Sequence, residues 1–336
     1  MRVVGWPALA DGHPTPNRRT GRQHAVAVGQ ALLVTFLWST SWVLIKVGID
    51  ELDLRPLGFA GLRYGLAALL LLPWAVAALR RAHDGPRATP SRFGAVAAYG
   101  IVFVAVAQGA QFAALAMMPA TAVNLVLSTI PAAVAAISVV RRDESPSALQ
   151  LLGVGLLLAG ALLYFGPLRI EGDAWQGIGA ALVCVAASAA AAHLGRGLAR
   201  RAASFGGALG LTAISMAVGG AALLGIGLAV EGVPALDVRG WAVVGWLAAV
   251  NTALAFTLWN HTLRTLSAVE SSVVNNTMTV QIAILAVVFL GERLGAAQLA
   301  GLGCAALGAL VVQLAPRLAR RWTQPPAEER LGEPMR

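Results

Sequence analysis

The chain has few charged residues for its length. Asp, Glu, Lys and Arg make up 12% of its 336 residues, and apolar residues make up 57%. Soluble domains are about 25% charged and roughly 45–50% apolar. The apolar residues fall into runs of about 20, the length that crosses roughly 30 Å of hydrocarbon as a helix, and the runs lack the alternation of strands. These features exclude an ordinary soluble domain and predict an all-α integral membrane protein.

The chain also lacks the motifs of nucleotide binding and of common enzymes. Its one lysine, Lys46, follows Ile45, so the Gly-Lys pair of a P-loop cannot occur. There is no HExxH, GxSxG or DDxxD-like pair, and the two cysteines lie in apolar runs without metal spacing. We therefore expect no cofactor, no metal and no catalytic residues. The net charge of +9 comes from basic residues that are concentrated in particular loops, as in a membrane protein. We therefore expect no nucleic-acid partner.

The second half of the chain repeats the first at an offset of 148 residues, without a gap, so that Gly29 aligns with Gly177 and Glu144 with Glu292. Each copy holds five apolar runs, and an odd number of crossings places the copies upside down relative to each other. Duplicated inverted halves are the architecture of carriers that open alternately to each side of a membrane. The offset also aligns one further set, Gln150, Leu151, Gly153, Gly155 and Gly160 with Gln298, Leu299, Gly301, Gly303 and Gly308.

We predict ten helices in two inverted five-helix repeats, 28–166 and 174–315. A polar tail, 1–27, precedes them, which we do not interpret as a cleavable signal peptide, and a second tail, 316–336, follows. The predicted helices are α1 28–47, α2 56–79, α3 93–113, α4 118–140, α5 147–166, α6 174–195, α7 204–229, α8 240–261, α9 267–290 and α10 295–315.

The arginines outside these helices fall mostly on one side of the predicted membrane. Nineteen lie on the side of both termini, and four, Arg55, Arg169, Arg239 and Arg293, lie on the other. Arginine-rich loops remain in the cytoplasm. We therefore expect a multi-pass protein of the plasma or inner membrane with both termini cytoplasmic.

Two helices related by the repeat carry polar stripes. A polar side chain in hydrocarbon is costly unless it faces a partner or a wet cavity. The stripes share one helical face at i, i+4, i+7, and we expect them to face each other and line a substrate cavity, with simple helix–helix contacts as the alternative. Pro131 also removes a backbone hydrogen bond, which makes it a gating candidate. The stripes are Asn124, Ser128 and Pro131 in α4 and Ser272, Asn276 and Thr279 in α9.

Three further helices supply candidate cavity residues. Trp38 lies mid-helix in α1, although tryptophan usually lies at the membrane surface, and Ser39, Thr40 and Ser41 follow it. Hydroxyls bonded to their own helix carbonyls are the alternative interpretation. Amides in α3 opposite aromatic rings in α8 would suit a solute with polar and flat apolar parts, although packing alone also explains them. These are Gln108 and Gln111 in α3 and Asn251, Thr252, Phe256 and Trp259 in α8.

Several residues allow both structural and functional interpretations. Arg63, about two turns inside α2, keeps its charge at any ordinary pH; we interpret it as an anchor first and a solute contact second. Glu270, the only carboxylate near the proposed cavity, is a solvated mouth residue or a candidate for gating or coupling. Glu144 and Glu292 are expected to accept hydrogen bonds from the N-terminus of the next helix. The paired glycines of α5 and α10 predict close helix packing.

The chain resembles the EamA-type drug/metabolite transporters over about residues 28–315. The resemblance rests on Trp38-Ser-Thr-Ser in α1 and Phe59-Ala-Gly-Leu-Arg63-Tyr in α2, and on a helix-end acid followed by a Gln/Gly helix in each half. The family pattern has a proline before the acid in both halves; here Pro131 keeps it and Thr279 replaces it. The acid motifs are Arg141-Arg-Asp-Glu144-Ser with Gln150-Leu-Leu-Gly153, and Leu290-Gly-Glu292-Arg-Leu with Gln298-Leu-Ala-Gly301.

The resemblance implies a cavity lined by α1, α3, α4, α6, α8 and α9 and efflux of amino acids or other small metabolites. We therefore expect an alternating-access exporter of small organic metabolites whose partners are the solute and the lipid bilayer. Three alternatives remain open: a flippase for lipid-linked substrates, a non-transporting scaffold and an intramembrane enzyme.

Overall fold

The structure, a computed structural model, describes residues 18–81, 90–140, 147–166, 172–199, 205, 207–263, 265–266 and 268–323. Within these residues the chain is helical, without strands, and ten helices are long and apolar enough to cross a membrane. The helices are α1 (Arg18–Asp50), α2 (Pro56–Arg81), α3 (Pro90–Gly100, Ile101–Gln108 and Gly109–Met117), α4 (Ala120–Leu127 and Ile130–Val140), α5 (Ala148–Phe165), α6 (Ala174–Ala199), α7 (Gly207–Glu231), α8 (Val238–Ala248, Ala249–Leu254 and Ala255–Thr262), α9 (Ala268–Leu290) and α10 (Ala296–Thr323).

Two of these helices extend well beyond their predicted bounds. α1 begins at Arg18 and α10 ends at Thr323. The part of α10 that is apolar enough to cross a membrane ends at Ala315. The extra turns of α10 therefore lie outside its apolar span, whereas the apolar span of α1 begins at Gly21 and includes most of its extra turns. The middle segments of α3 and α8 are π-helical.

The two halves pack as an inverted pair. The most extensive contacts between helices join α5 to α10 and α2 to α7, one helix from each half. A Cβ atom at Gly160 would lie 2.6 Å from the carbonyl oxygen of Gly301, and one at Gly308 would lie 2.7 Å from that of Gly153. The offset of 148 residues converts the first contact into the second, because Gly153 maps to Gly301 and Gly160 to Gly308. The packing is therefore symmetric about a two-fold axis, as inverted repeats require.

Local sequence determines where the helices begin and end. Ser147 and Gln150 form a capping box at the start of α5, and the Asp237 side chain accepts a 2.7 Å hydrogen bond from the amide of Gly240 at the start of α8. Gly232 and Gly291 follow α7 and α9 with φ of 83° and 68°, a conformation that a glycine adopts without strain. The odd-numbered helices run from the end of the molecule at which α1 begins, here called the arginine-rich end, to the opposite end.

Candidate functional site

The polar stripes of α4 and α9 meet at the boundary between the two halves. Asn124 is 6% exposed, and its Nδ2 donates a 3.0 Å hydrogen bond to the carbonyl oxygen of Thr279, which is also buried. Asn276 has a different partner, because its Nδ2 donates to the carbonyl oxygen of Ala306 in α10 at 2.9 Å. The side chain of Ser272 lies outside the described residues. The structure thus joins Asn124 to Thr279 and directs Asn276 to a helix of its own half.

α4 is interrupted next to Pro131. The turn at Ser128 and Thr129 separates its two segments, and both hydroxyls donate to carbonyls three residues earlier, at 2.6 and 2.7 Å. Proline lacks the amide that would continue the helical bonding. α9 continues without interruption through Thr279, which has an amide. The break is therefore confined to one half.

A second contact between the halves joins α1 to α9. Ser39 is fully buried, and its hydroxyl lies 2.8 Å from the carbonyl oxygen of Thr35 and 2.9 Å from Gln281 Oε1, two acceptors for its one proton. Gln281 Nε2 donates to Thr277 Oγ1 at 3.1 Å and to Thr35 Oγ1 at 3.4 Å. Sequence reasoning missed Gln281; its i, i+4 spacing with Thr277 on one face of α9 was the available signal. The hydroxyls of Thr40 and Ser41 likewise donate to carbonyls of their own helix, those of Leu37 and Trp38, at 2.8 and 2.6 Å.

Trp38 belongs to an aromatic cluster between α1 and α8. Its ring centroid lies 5.2 Å from those of Phe256 and Trp259. Asn251 extends this contact, because its Nδ2 donates to the carbonyl oxygen of Leu37 and, at 3.1 Å, to Thr40 Oγ1. Within the described chain, three buried side-chain atoms have no hydrogen-bond partner: Trp38 Nε1 and Asn251 Oδ1 in this cluster, and Gln313 Oε1 in α10. The cluster thus holds one unfilled donor and one unfilled acceptor.

The π-helical segments lie at equivalent positions of the two repeats. The segment in α3 begins at Ile101 and the segment in α8 at Ala249, which is the offset of 148 residues. Single π turns inside α-helices are frequent at functional sites. The α8 segment carries Asn251 and Thr252, both fully buried. Both halves therefore have the same irregular backbone next to the candidate site.

The two predicted glutamines of α3 lie in different surroundings. Gln108 ends the π segment, and its Oε1 accepts a 2.7 Å hydrogen bond from the hydroxyl of Tyr64 in α2. Gln111 is half-buried, one turn further along α3. Arg63, which precedes Tyr64, is 4% exposed and donates from Nε to Thr252 Oγ1 at 2.9 Å. A buried polar cluster therefore joins α2, α3 and α8.

Cavities open towards both ends of the molecule. A cavity of about 690 Å³ lies between the arginine-rich ends of α3, α6, α7 and α8. One of its walls is Trp259, whose ring packs against Trp38. A second cavity, of about 380 Å³, lies at the opposite end between α1, α9 and the junction of α3 with α4. Other side chains around the larger cavity include Tyr99, Phe103, Ser188, Arg196, Thr212 and Asn260.

Glu270 lies at the arginine-rich end of α9. One of its oxygens is 3.1 Å from His24 Nε2 of α1, and the two side chains are 39% and 45% exposed. An exposed pair of this kind contributes little to stability. The pair does, however, link the halves at one mouth of the molecule, where a gate would lie.

Two carboxylates link the halves at the opposite end. Glu292, predicted to accept from the next helix, instead accepts from the amides of Ala120 and Thr121 at the start of α4, at 2.6 and 3.2 Å. Glu231 accepts from the amides of Leu57 and Gly58 at the start of α2, at 3.0 and 2.8 Å. A carboxylate at a helix N-terminus is stabilised by the unpaired amides. Glu144 lies outside the described residues.

Comparisons with known proteins agree with this architecture. The model of the EamA-like transporter family matches residues 26–166 and 175–314, one match for each half. No curated protein matches the chain. One solved structure, described only as the crystal structure of a protein, is 19% identical, with a TM-score of 0.59 over 90% of this chain and 99% of that chain. At that identity the similarity concerns the fold alone.

Proposed function

The chain belongs to the EamA-like transporter family, and we propose that it exports small organic metabolites, amino acids or related compounds, by alternating access. The protein is a multi-pass membrane transporter. The proposed solute site is the buried polar boundary between the halves, around Trp38, Asn124 and Asn251. The distribution of arginines supports a plasma or inner membrane location with both termini in the cytoplasm.

The observation that carries the proposal is the pair of unfilled buried atoms, Trp38 Nε1 and Asn251 Oδ1. Buried polar atoms are nearly always hydrogen-bonded, so an unfilled donor and acceptor in one cluster call for an explanation. A solute with both a donor and an acceptor would satisfy them. Small ligand sites are typically apolar and aromatic with a few polar groups of this kind.

The packing supports a mechanism in which one half rocks against the other. The larger cavity is bounded by Trp259 of the aromatic cluster. Contacts between the halves occur at both ends: His24 with Glu270 at one, and Glu292 with α4 at the other. Opening one end requires its contacts to separate while those at the other end remain. A solute that binds the occluded arrangement more tightly lowers the free energy of passage.

The test is a transport screen with purified protein in lipid vesicles. We expect saturable, protein-dependent flux of at least one compound from a panel of labelled amino acids and aromatic metabolites. Folded protein that transports no member of the panel would contradict the proposal.

The screen also tests the site, because Asn124 lies at the boundary between the halves. We expect Asn124→Leu to lower flux about tenfold through loss of its hydrogen bond to α9. Asn275→Leu is the matched control, since Asn275 is exposed on α9. Equal flux in the two variants would remove Asn124 from the site.

A further inference from the structure

Arg63 is a buried cation whose orientation is fixed by hydrogen bonding. Its guanidinium has five N–H donors and stays charged at any ordinary pH. Nε donates to Thr252 Oγ1 at 2.9 Å, and that hydroxyl donates in turn to the carbonyl oxygen of Leu247 at 2.8 Å. Because the hydroxyl proton is used by Leu247, the oxygen serves as the acceptor for Arg63. One donor of the five is thereby filled.

In the described part of the chain, the other four N–H donors of Arg63 have no hydrogen-bond acceptor. No carboxylate there lies within ion-pair distance of its guanidinium. The ion pairs among the described residues are His24 with Glu270 and Lys46 with Asp50. The rings of Tyr64 and Phe112 lie 5.2 and 5.9 Å from the Arg63 Cζ atom. Aromatic faces stabilise a cation, but they do not fill N–H donors in the guanidinium plane. Among the residues that the structure describes, this cation therefore lacks the anion that a buried charge normally requires.

The π segment of α8 connects this cation to the unfilled atoms of the proposed site. Thr252, which holds Arg63, follows Asn251 in the π segment of α8. Asn251 contacts α1 next to Trp38, whereas Thr252 contacts α2. Two consecutive residues of the π segment therefore contact both groups. Thr252 binds the guanidinium of Arg63, and Asn251, whose Oδ1 has no partner, contacts α1 next to the indole N–H of Trp38.

We propose that Arg63 binds the carboxylate of the transported solute and so restricts the carrier to carboxylate-bearing metabolites. The proposal rests on the proposed function and narrows its substrate class. A guanidinium binds a carboxylate through two parallel N–H···O bonds, which gives geometric selectivity as well as affinity. Asn251 Oδ1 would accept from an N–H of the same solute, and a free amino acid carries both groups.

The test compares acids with their amides. The probes are free amino acids and the corresponding amino acid amides, which keep the side chain and ammonium but lose the carboxylate charge. Binding is measured by thermal stabilisation of the purified full-length chain, and transport by counterflow in vesicles. For the wild type we expect the amides to bind about 100-fold more weakly than the acids.

Variants of Arg63 and Thr252 test whether the preference for acids over amides depends on Arg63. Arg63→Gln should bring the acid-to-amide ratio close to one by weakening acid binding, and Arg63→Lys should keep part of it, because lysine keeps the charge but lacks the fork. Arg239→Gln, in an exposed position of α8, should match the wild type. If Arg63→Gln does not fold, Arg63→Lys and Thr252→Val, which removes the acceptor of Nε, must each lower the ratio.

Three outcomes would overturn parts of this account. A folded Arg63→Gln variant with the wild-type ratio, or unchanged ratios in both Arg63→Lys and Thr252→Val, would return Arg63 to a structural role. A wild type that transports acids and amides equally well would refute the carboxylate assignment and leave the proposed function intact. A wild type that neither binds nor transports any probe would contradict the proposed function itself.

Discussion

At the scale of single residues, Trp38 and Asn251 carry the most specific information about the site. Their atoms Nε1 and Oδ1 are buried without partners in the described chain. Each unfilled buried polar atom costs about 1–3 kcal/mol. A solute that fills both would remove that cost, so binding should raise the stability of the folded protein.

We predict opposite effects of Trp38→Phe on stability and on binding. Phenylalanine keeps an aromatic ring against Phe256 and Trp259 but removes the unfilled N–H. The thermal midpoint of the solute-free protein should therefore stay or rise, while solute affinity should fall about tenfold with the lost hydrogen bond. Thermal unfolding with and without solute measures both quantities.

Trp175→Phe is the control for this change, because Trp175 is 62% exposed at the start of α6. It should leave affinity unchanged. A Trp38→Phe protein that is destabilised and binds solute normally would show that the indole serves packing alone.

The sequence allowed part of this site to be predicted. Trp38 and Asn251 could be recognised because a mid-helix tryptophan and a buried amide are unusual in apolar runs. Gln281 was missed because its equivalent in the first half is Ala133, so the repeat gave no matching stripe. The bonding of Asn276 to α10 instead of α4 depends on helix rotation, which no single-residue pattern specifies.

At the scale of helices, glycines control how closely the two halves approach. Gly160 of α5 lies against the backbone of α10, where an added Cβ atom would lie 2.6 Å from the Gly301 oxygen. Gly155 of the same helix has no heavy atom within 4 Å of that position. The two glycines therefore provide a matched pair on one element.

We predict that Gly160→Ala destabilises the protein by about 1–3 kcal/mol, since backbone atoms must move apart to admit the methyl group. Gly155→Ala should be neutral or stabilising, because alanine is favoured over glycine in helices by up to about 1 kcal/mol. Thermal denaturation in detergent compares the two. Equal midpoints would show that the contact between α5 and α10 tolerates an extra methyl group.

The existence of the helices could be predicted from apolar runs, but only one of their irregularities could. The proline at 131 predicts the break in α4, and the amide of Thr279 is consistent with the continuous α9. Nothing in the residues from Ile101 to Gln108 predicts a π segment, because π and α turns have similar local preferences. Their recurrence at the offset of 148 residues becomes visible only in three dimensions.

At the scale of the whole molecule, carboxylates of the second half hold helix N-termini of the first. Glu292 caps α4 and also accepts from the hydroxyl of Thr121 at 2.5 Å, and Glu231 caps α2. The duplication could be predicted from the offset of 148 residues, and the inversion from the odd number of apolar runs in each copy. Which helix each acid caps could not, because the partners are about 170 residues apart.

We predict that Glu292→Gln lowers the thermal midpoint by the equivalent of about 1.5–3 kcal/mol, the contribution of hydrogen bonds to a charged group. Glu51→Gln is the control, because Glu51 is exposed and lines the same 380 Å³ cavity as Glu292. It should change the midpoint little. Identical midpoints for the two variants would remove the proposed link between the halves.

The inverted arrangement of the two halves is the central claim, and labelling of equivalent positions tests it most directly. In a chain with Cys184 and Cys304 replaced by alanine, single cysteines are introduced as Met117→Cys and Thr265→Cys, both exposed and 148 residues apart. Intact cells are treated with a membrane-impermeant maleimide before and after permeabilisation. We predict that the cysteine at 117 is labelled in intact cells and the cysteine at 265 only after permeabilisation; labelling of both in intact cells would contradict the account.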